Sequence, residues 1–280
     1  MERGCKERLS ALGVLLLTLS APVGTEAPPT QKEVLRRAGA YVQALAGELP
    51  RLVATETARQ TASPRAFARR PLRASRRTVA EIAWIPVRAP HLHVVALRDV
   101  VQVDGMDVAD ARGRLEGLLH GPRTGTWEQV MALLDESAKY NLAPGSRNFN
   151  LPTVVLFFLH PEMQERFSWK RKTAGDAVWE LEFREKDRPT VVRTTEGEHA
   201  YSRGRVRLDA TAGAVLRTEL RLRLERVNYS MTVTFAPVPR LGLTLPSALE
   251  ERYETPEQVV AGRAEYSNYR RFETGARLVH

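Results

Sequence analysis

At 280 residues and 43% apolar content the chain is long enough to bury a real core, as one large domain or two modest ones. Its single cysteine, Cys5, excludes a disulfide framework. The formal charge of +9 suits an anionic membrane surface or an acidic ligand, and export, argued next, sets nucleic acid aside as a partner.

Residues 1–21 read as a signal peptide. Arg3, Lys6 and Arg8 precede an apolar run from Ala11 to Leu19, and small residues follow at Ser20 and Ala21. That run is too short to span a bilayer as a helix. Cys5 lies before it, so it is not placed as a lipoprotein cysteine. Residues 22–29 form a short Pro-rich linker. Thr30-Gln-Lys-Glu33 then reads as a capping box, with hydroxyl and carboxylate satisfying end amides reciprocally. Val34, Ala38, Tyr41, Val42, Leu45 and Leu49 follow at helical spacing until Pro50 stops the helix.

Leu52 to Gln60, rich in Thr and Val, reads as a strand. The stretch 61–78 holds Arg65, Arg69, Arg70, Arg73, Arg76 and Arg77 with no acidic residue. It reads as a solvated loop; its functional alternative is a patch for lipid head groups, with Arg69, Arg70 and Arg73 as the contacts. Val79–Val87 and Leu92–Leu97 are two more strands. Val100 to Val108 is a hairpin turning at Asp104-Gly105, a pair suited to a type I′ turn.

Asp110 to Leu119 predicts a helix ended by Gly121-Pro122, and Thr126-Trp-Glu-Gln129 opens another that closes near Asn141. Val154 to Leu159 is apolar throughout, so both faces should be buried. Pro152 favours a helix there and the β-branched pair a strand; helix is the reading. From Arg166 onward every pattern is strand. Phe167–Arg171, Val178–Arg184 and Thr190–Thr194 come first, then Gly204–Asp209 and a turn through Gly213. Along Ala214–Glu225, Leu216, Thr218, Leu220, Leu222 and Leu224 share one parity, and charged residues take the other. Tyr229, Met231, Val233 and Phe235 repeat that alternation, which marks strands with one dry face. Leu243–Tyr253 and Val259–Phe272 complete the set. The fold class is α+β: a curved antiparallel sheet, an incomplete barrel of about eight or more strands, with helices over its concave face.

No motif of catalysis or metal binding stands out. His91 and His93 have a spacing that can serve zinc, yet no third ligand is signalled, so no metal is expected. His160 beside Pro161 reads as a helix-end residue, and Glu250-Glu251 and Glu182/Glu185 fit wet sheet faces. Catalytic residues and cofactors are therefore expected to be absent.

Several phrases carry a resemblance. They are Leu97-Arg-Asp-Val-Val-Gln-Val-Asp-Gly105, Ala138-Lys-Tyr-Asn141, Leu151-Pro-Thr153 with Leu159-His-Pro161, and Tyr266-Ser-Asn-Tyr-Arg-Arg-Phe272. The turn Arg207-Leu-Asp-Ala-Thr-Ala-Gly-Ala-Val-Leu-Arg217 and Leu241-Gly-Leu-Thr-Leu-Pro246 belong with them. Over most of the chain these resemble a group of exported bacterial proteins that brings no established activity. Over about 160–272 the arrangement resembles the LolA/LolB-like lipoprotein carriers. That resemblance implies residues 30–280 as one LolA-like domain, with a helical insertion at about 109–160 that departs from a plain carrier. It also implies acyl-chain binding in an apolar half-barrel, though it transfers no individual ligand residue.

The expected function is accordingly an exported envelope protein that binds a lipid or lipoprotein acyl chain, with peripheral membrane contact. The expected wall is Leu220, Leu222, Leu224, Tyr229, Met231, Val233 and Phe235, roofed by Val155–Leu159 with Phe157 among them. The alternatives are a non-enzymatic envelope scaffold with a fully packed core, meeting a protein partner through Arg217, Glu219, Arg221 and Arg223, and a hydrolase without a recognisable motif.

Overall fold

A computed structural model describes residues 28–65, 73–89, 92–109, 127–142, 151–175, 177–193, 197–224 and 226–271. The signal and most of the linker, the 110–119 helix, His91, Arg69 and Arg70 lie outside the described residues, as does the side chain of His93.

The chain enters as helix α1 (Gln31–Glu48), whose Val34, Ala38, Val42 and Leu45 are buried. Thr30 caps it, its hydroxyl accepting from the Glu33 amide at 3.2 Å. The reciprocal half of the expected capping box is replaced: the Glu33 carboxylate takes Arg36 at 2.7 Å and Arg37 at 2.9 Å. Those two guanidiniums hold the exposed Glu33 carboxyl down at about 2.

Four strands follow: β1 (Leu52–Pro64), β2 (Ala74–Ala89), β3 (Leu92–Val103) and the two-residue β4 (Met106–Asp107). The hairpin between β3 and β4 turns at Asp104 and Gly105, both at positive φ, as the Asp-Gly pair predicts. The loop expected over 61–78 is corrected. Its two ends are strand, with Arg59 opposite Arg77, Gln60 opposite Arg76 and Thr61 opposite Ser75. Long arginine stems lie along a wet sheet face as readily as in a loop, so charge alone does not interrupt pairing.

Helix α2 (Trp127–Ala138) leads to two short helices, α3 (Val154–Leu159) and α4 (Pro161–Gln164). The apolar run at 154–159 is thus helical, and Val155, Leu156, Phe158 and Leu159 are buried. The remaining strands are β5 (Phe167–Ala174), β6 (Val178–Glu185), β7 (Val192–Arg193), β8 (His199–Ala200) and β9 (Arg203–Asp209). They are completed by β10 (Val215–Arg223), β11 (Asn228–Val238), β12 (Leu243–Glu254) and β13 (Gln258–Arg271). The strand expected at 190–194 shrinks to β7, which pairs only with β8.

Eleven strands form one unclosed antiparallel sheet in the order β4-β3-β2-β1-β13-β12-β11-β10-β9-β6-β5. Its concave side buries alternate residues of each strand against α1 and α3, which is the half-barrel arrangement that the resemblance implies. The dry parity of β10 begins one residue earlier than the leucine series suggests. A bulge between Val215 and Arg217 leaves Val215 buried and Leu216 only half-buried. The turn before β10 seats α1: Arg37 Nη1 donates to the Ala210 carbonyl at 2.9 Å. Gly213, at φ +72°, lies so close that an added Cβ would come within 2.4 Å of the Arg37 carbonyl group. Only glycine meets both demands.

Candidate functional site: the concave face

The concave face divides into two halves. The first, on β5, β6, β9, β10 and β11, is apolar. Leu220, Leu222, Tyr229, Met231, Val233 and Phe235 all point to this side and are buried, and Leu224, just past β10, is partly buried. Phe158 fills the centre from α3, stacked on Phe167 at 4.7 Å and edge-on to Phe183 at 5.6 Å. The structure therefore brings the expected wall and its roof together in one packed cluster.

Free space lies at one flank. A cavity of about 50 Å³ sits between the last turns of α1, α3 and β3, lined by Val42, Leu45, Leu49, Val94, Leu156 and Phe157. None of the expected wall borders it; of the expected roof, Leu156 and Phe157 do. The roof over this flank is lightly tied. Trp84 Nε1 donates to Thr153 Oγ1 at 3.4 Å, and Gln164 Nε2 donates to the carbonyls of Leu35 and Leu159 at 2.9 and 2.7 Å. His160 is buried at the junction of α3 and α4, and its backbone caps both.

The second half, on β1, β3, β12 and β13, carries a polar cluster that the sequence reading missed. Glu56 and Arg98 form a bidentate pair, with Nε at 2.6 Å from Oε1 and Nη2 at 2.9 Å from Oε2. Their side chains are 1% and 8% exposed. Burial opposes the Arg98 charge, but attraction and hydrogen bonding to Glu56 outweigh it and raise its pKa. Tyr266, directly opposite Glu56 on β13, is raised well above the phenol range by burial and by the Glu56 charge. Tyr269 is raised for the same two reasons and donates to the Pro246 carbonyl at 2.7 Å.

Glu251 extends the cluster. It accepts from Tyr229 Oη and from Gln60 Nε2, each at 3.3 Å. Gln60 also reaches the chain beyond α2, donating to Asn141 Oδ1 at 2.7 Å and accepting from the Leu142 amide at 2.7 Å. A void of about 20 Å³ among these groups has room for a single water. The expectation that Glu251 and Glu185 lie on wet faces is thereby corrected. Glu251 points inward over Gly262, where an added Cβ would meet its Cγ and Oε1 at 2.8 Å. Glu185 is buried by the amides of Val191 and Ser202. The signal for Glu56 was its place on the dry parity of β1, between Ala54 and Ala58.

Carboxylates saturated by an arginine, an amide and phenols hold strands and helix together; they present no nucleophile beside a free base. Among the described residues, no group of three or more His, Cys, Asp or Glu is arranged to hold a metal ion. The surface residues fall elsewhere. Arg217, Glu219, Arg221 and Arg223 lie on the outer face of β10, and Arg73 is exposed just before β2. Among the described residues no helix is long and apolar enough to cross a membrane.

No protein-family model matches the chain, and no curated protein matches it. Among solved structures it is similar to one described as an outer-membrane lipoprotein-sorting protein domain, from Vibrio parahaemolyticus. That similarity has 11% identity, covers 85% of this chain and 94% of that one, and gives a TM-score of 0.37. It is also similar to a DUF1329 family protein from Desulfovibrio piger, with 12% identity, 87% and 93% coverage and a TM-score of 0.35.

Proposed function

We propose that this is an exported envelope protein that binds the acyl chain of a lipid or lipoprotein against the apolar half of its concave face. Residues 30–280 would form one carrier-like domain. The observation that supports the reading is the cavity between α1, α3 and β3, bordered by Leu156 and Phe157 of the helix that roofs the packed wall. At about 50 Å³ it is far below the roughly 300–1,000 Å³ of a ligand pocket, so on this reading the site must open to admit a chain. Uptake requires the six-residue α3 to swing away, leaving Leu220, Leu222, Leu224, Tyr229, Met231, Val233 and Phe235 as the wall. Each methylene then buried contributes about 0.8 kcal/mol. The head group would meet the arginines before β2: Arg69, Arg70 and Arg73.

The test is native mass spectrometry and lipid extraction on protein purified from an envelope fraction. Lipid should co-purify with the wild type and be absent from Phe157→Glu, with circular dichroism unchanged. A second reading, an envelope scaffold with a filled core, is favoured by the near-complete burial of the wall. A ligand-free protein that also takes up no fluorescent fatty acid, even when Leu156→Ala loosens α3, would leave the scaffold.

A further inference from the structure

The face of the sheet turned away from the helices carries a second feature, independent of acyl-chain binding. Across β2, β1 and β13, Arg77 stands directly opposite Arg59, and Arg59 directly opposite Arg263. Three guanidinium-bearing strands thus lie side by side at about 4.8 Å spacing. Like charges facing each other across strands are destabilising. Arg263 is offset by Glu250 at 3.7 Å and Glu265 at 3.4 Å, but all three are more than half exposed and the pairs are weak. Among the described residues no carboxylate pairs with the side chain of Arg59 or Arg77, and both are exposed.

These arginines border a groove of about 730 Å³ that crosses five strands, from β2 to β11. Short residues make its floor: Thr57 and Thr61 on β1, Ala261 and Gly262 on β13, with Ser230 and Thr232 beyond them. Arg252 on the far side is already paired with Glu254. The groove lining has no large apolar side chain to enter a bilayer. None of its lining residues is aromatic, so it offers no platform on which nucleic-acid bases could stack. Glu250 and Glu265 among the arginines repel a chain made only of phosphates, yet accept hydrogen bonds from hydroxyls.

We infer that this groove binds an anionic glycan, a chain in which sugar hydroxyls alternate with sulfate, phosphate or carboxylate groups. The anionic groups meet Arg77 and Arg59, and the hydroxyls meet Glu250, Glu265 and the Thr and Ser side chains.

The outer face supplies its own control. Arg184, Arg203 and Arg221 form a similar cross-strand file on β6, β9 and β10, away from the groove. The experiment is fluorescence titration of the full chain with a labelled heparin oligosaccharide at several salt concentrations, with polyphosphate and single-stranded DNA as further arms. Arg59→Gln/Arg77→Gln should weaken heparin binding about tenfold or more and reduce the slope of log affinity against log salt by about two. Arg184→Gln/Arg203→Gln, which removes the same charge, should change the affinity less than about threefold. Equal loss from both pairs would show net charge rather than a site and overturn the inference. So would polyphosphate or DNA binding as tightly as heparin, or a wild type that does not bind heparin at physiological salt.

Discussion

The two halves of the concave face solve the same burial problem in opposite ways. Under α1 and α3 the sheet is covered by leucine, valine and phenylalanine, whose contacts are non-directional and tolerate small shifts. Under the end of α2 it is covered by Glu56, Arg98, Gln60 and Glu251, whose hydrogen bonds have one geometry. The polar half therefore fixes how β1, β3, β12 and β13 register on one another, while the apolar half can repack. The acyl-chain site that we propose would lie on the side that can repack.

The largest effect that would sharpen this contrast comes from splitting the ion pair. Arg98→Ala leaves Glu56 buried and uncompensated and should cost about 3–5 kcal/mol in chemical denaturation. The double change Glu56→Leu/Arg98→Met should lie within about 1 kcal/mol of the wild type, since an apolar replacement removes the desolvation cost along with the attraction. If the double variant were as unstable as the single one, the pair would be contributing attraction in its own right.

In the apolar half Leu220→Ala should cost about 2–5 kcal/mol, set by the cavity it leaves. Combined with the double replacement across the sheet it should be additive within about 0.5 kcal/mol. Strong coupling between them would mean that the two halves are one unit. Gly262→Ala comes next, at about 1–3 kcal/mol, because the new methyl displaces Glu251. In Gly262→Ala/Glu251→Ala the two costs should add to less than their sum, which thermal melts would read directly.

The smallest signal is in pH. Tyr266 and Tyr269 have folded pKa values above the unfolded phenol value. A raised folded value means the contribution is complete below about pH 10 and is lost as pH rises through the folded value. These two should ionise above the ordinary phenol range and together with alkaline unfolding. Reversible ionisation of Tyr266 and Tyr269 near pH 10, with circular dichroism unchanged, would show that the polar half is open to water.

Much of this architecture was legible in local pattern. The alternation at Leu220, Leu222, Met231 and Val233 placed the dry face, and the Asp104-Gly105 turn placed a hairpin. The polar half was not, and the reason is physical. Glu56 and Arg98 are 42 residues apart, and only the pairing of β1 with β2 and β2 with β3 brings them together. A charged residue on a dry parity is the local trace such a pair leaves. The Glu250-Glu251 doublet holds the same lesson. Neighbours along a strand point to opposite faces, so two adjacent glutamates on a half-buried strand cannot both be wet.

The unclosed sheet has a consequence of its own. Its two seams, β4 and β5, are edges that could template another chain, and on β5 the Gln31 side chain of α1 already takes the Trp169 carbonyl and the Arg171 amide. At one seam β4 has two residues and pairs only with Gln102 and Val103, with Met106 exposed beside the tight turn, and α2 lies against β3. The other is guarded by Lys170, Arg171 and Lys172 in succession and by a register break between Arg171 and Thr173. A β-strand offered to β5 would have to desolvate three cations and match a broken ladder, so the half-barrel can stay open along its seams without growing into a neighbour.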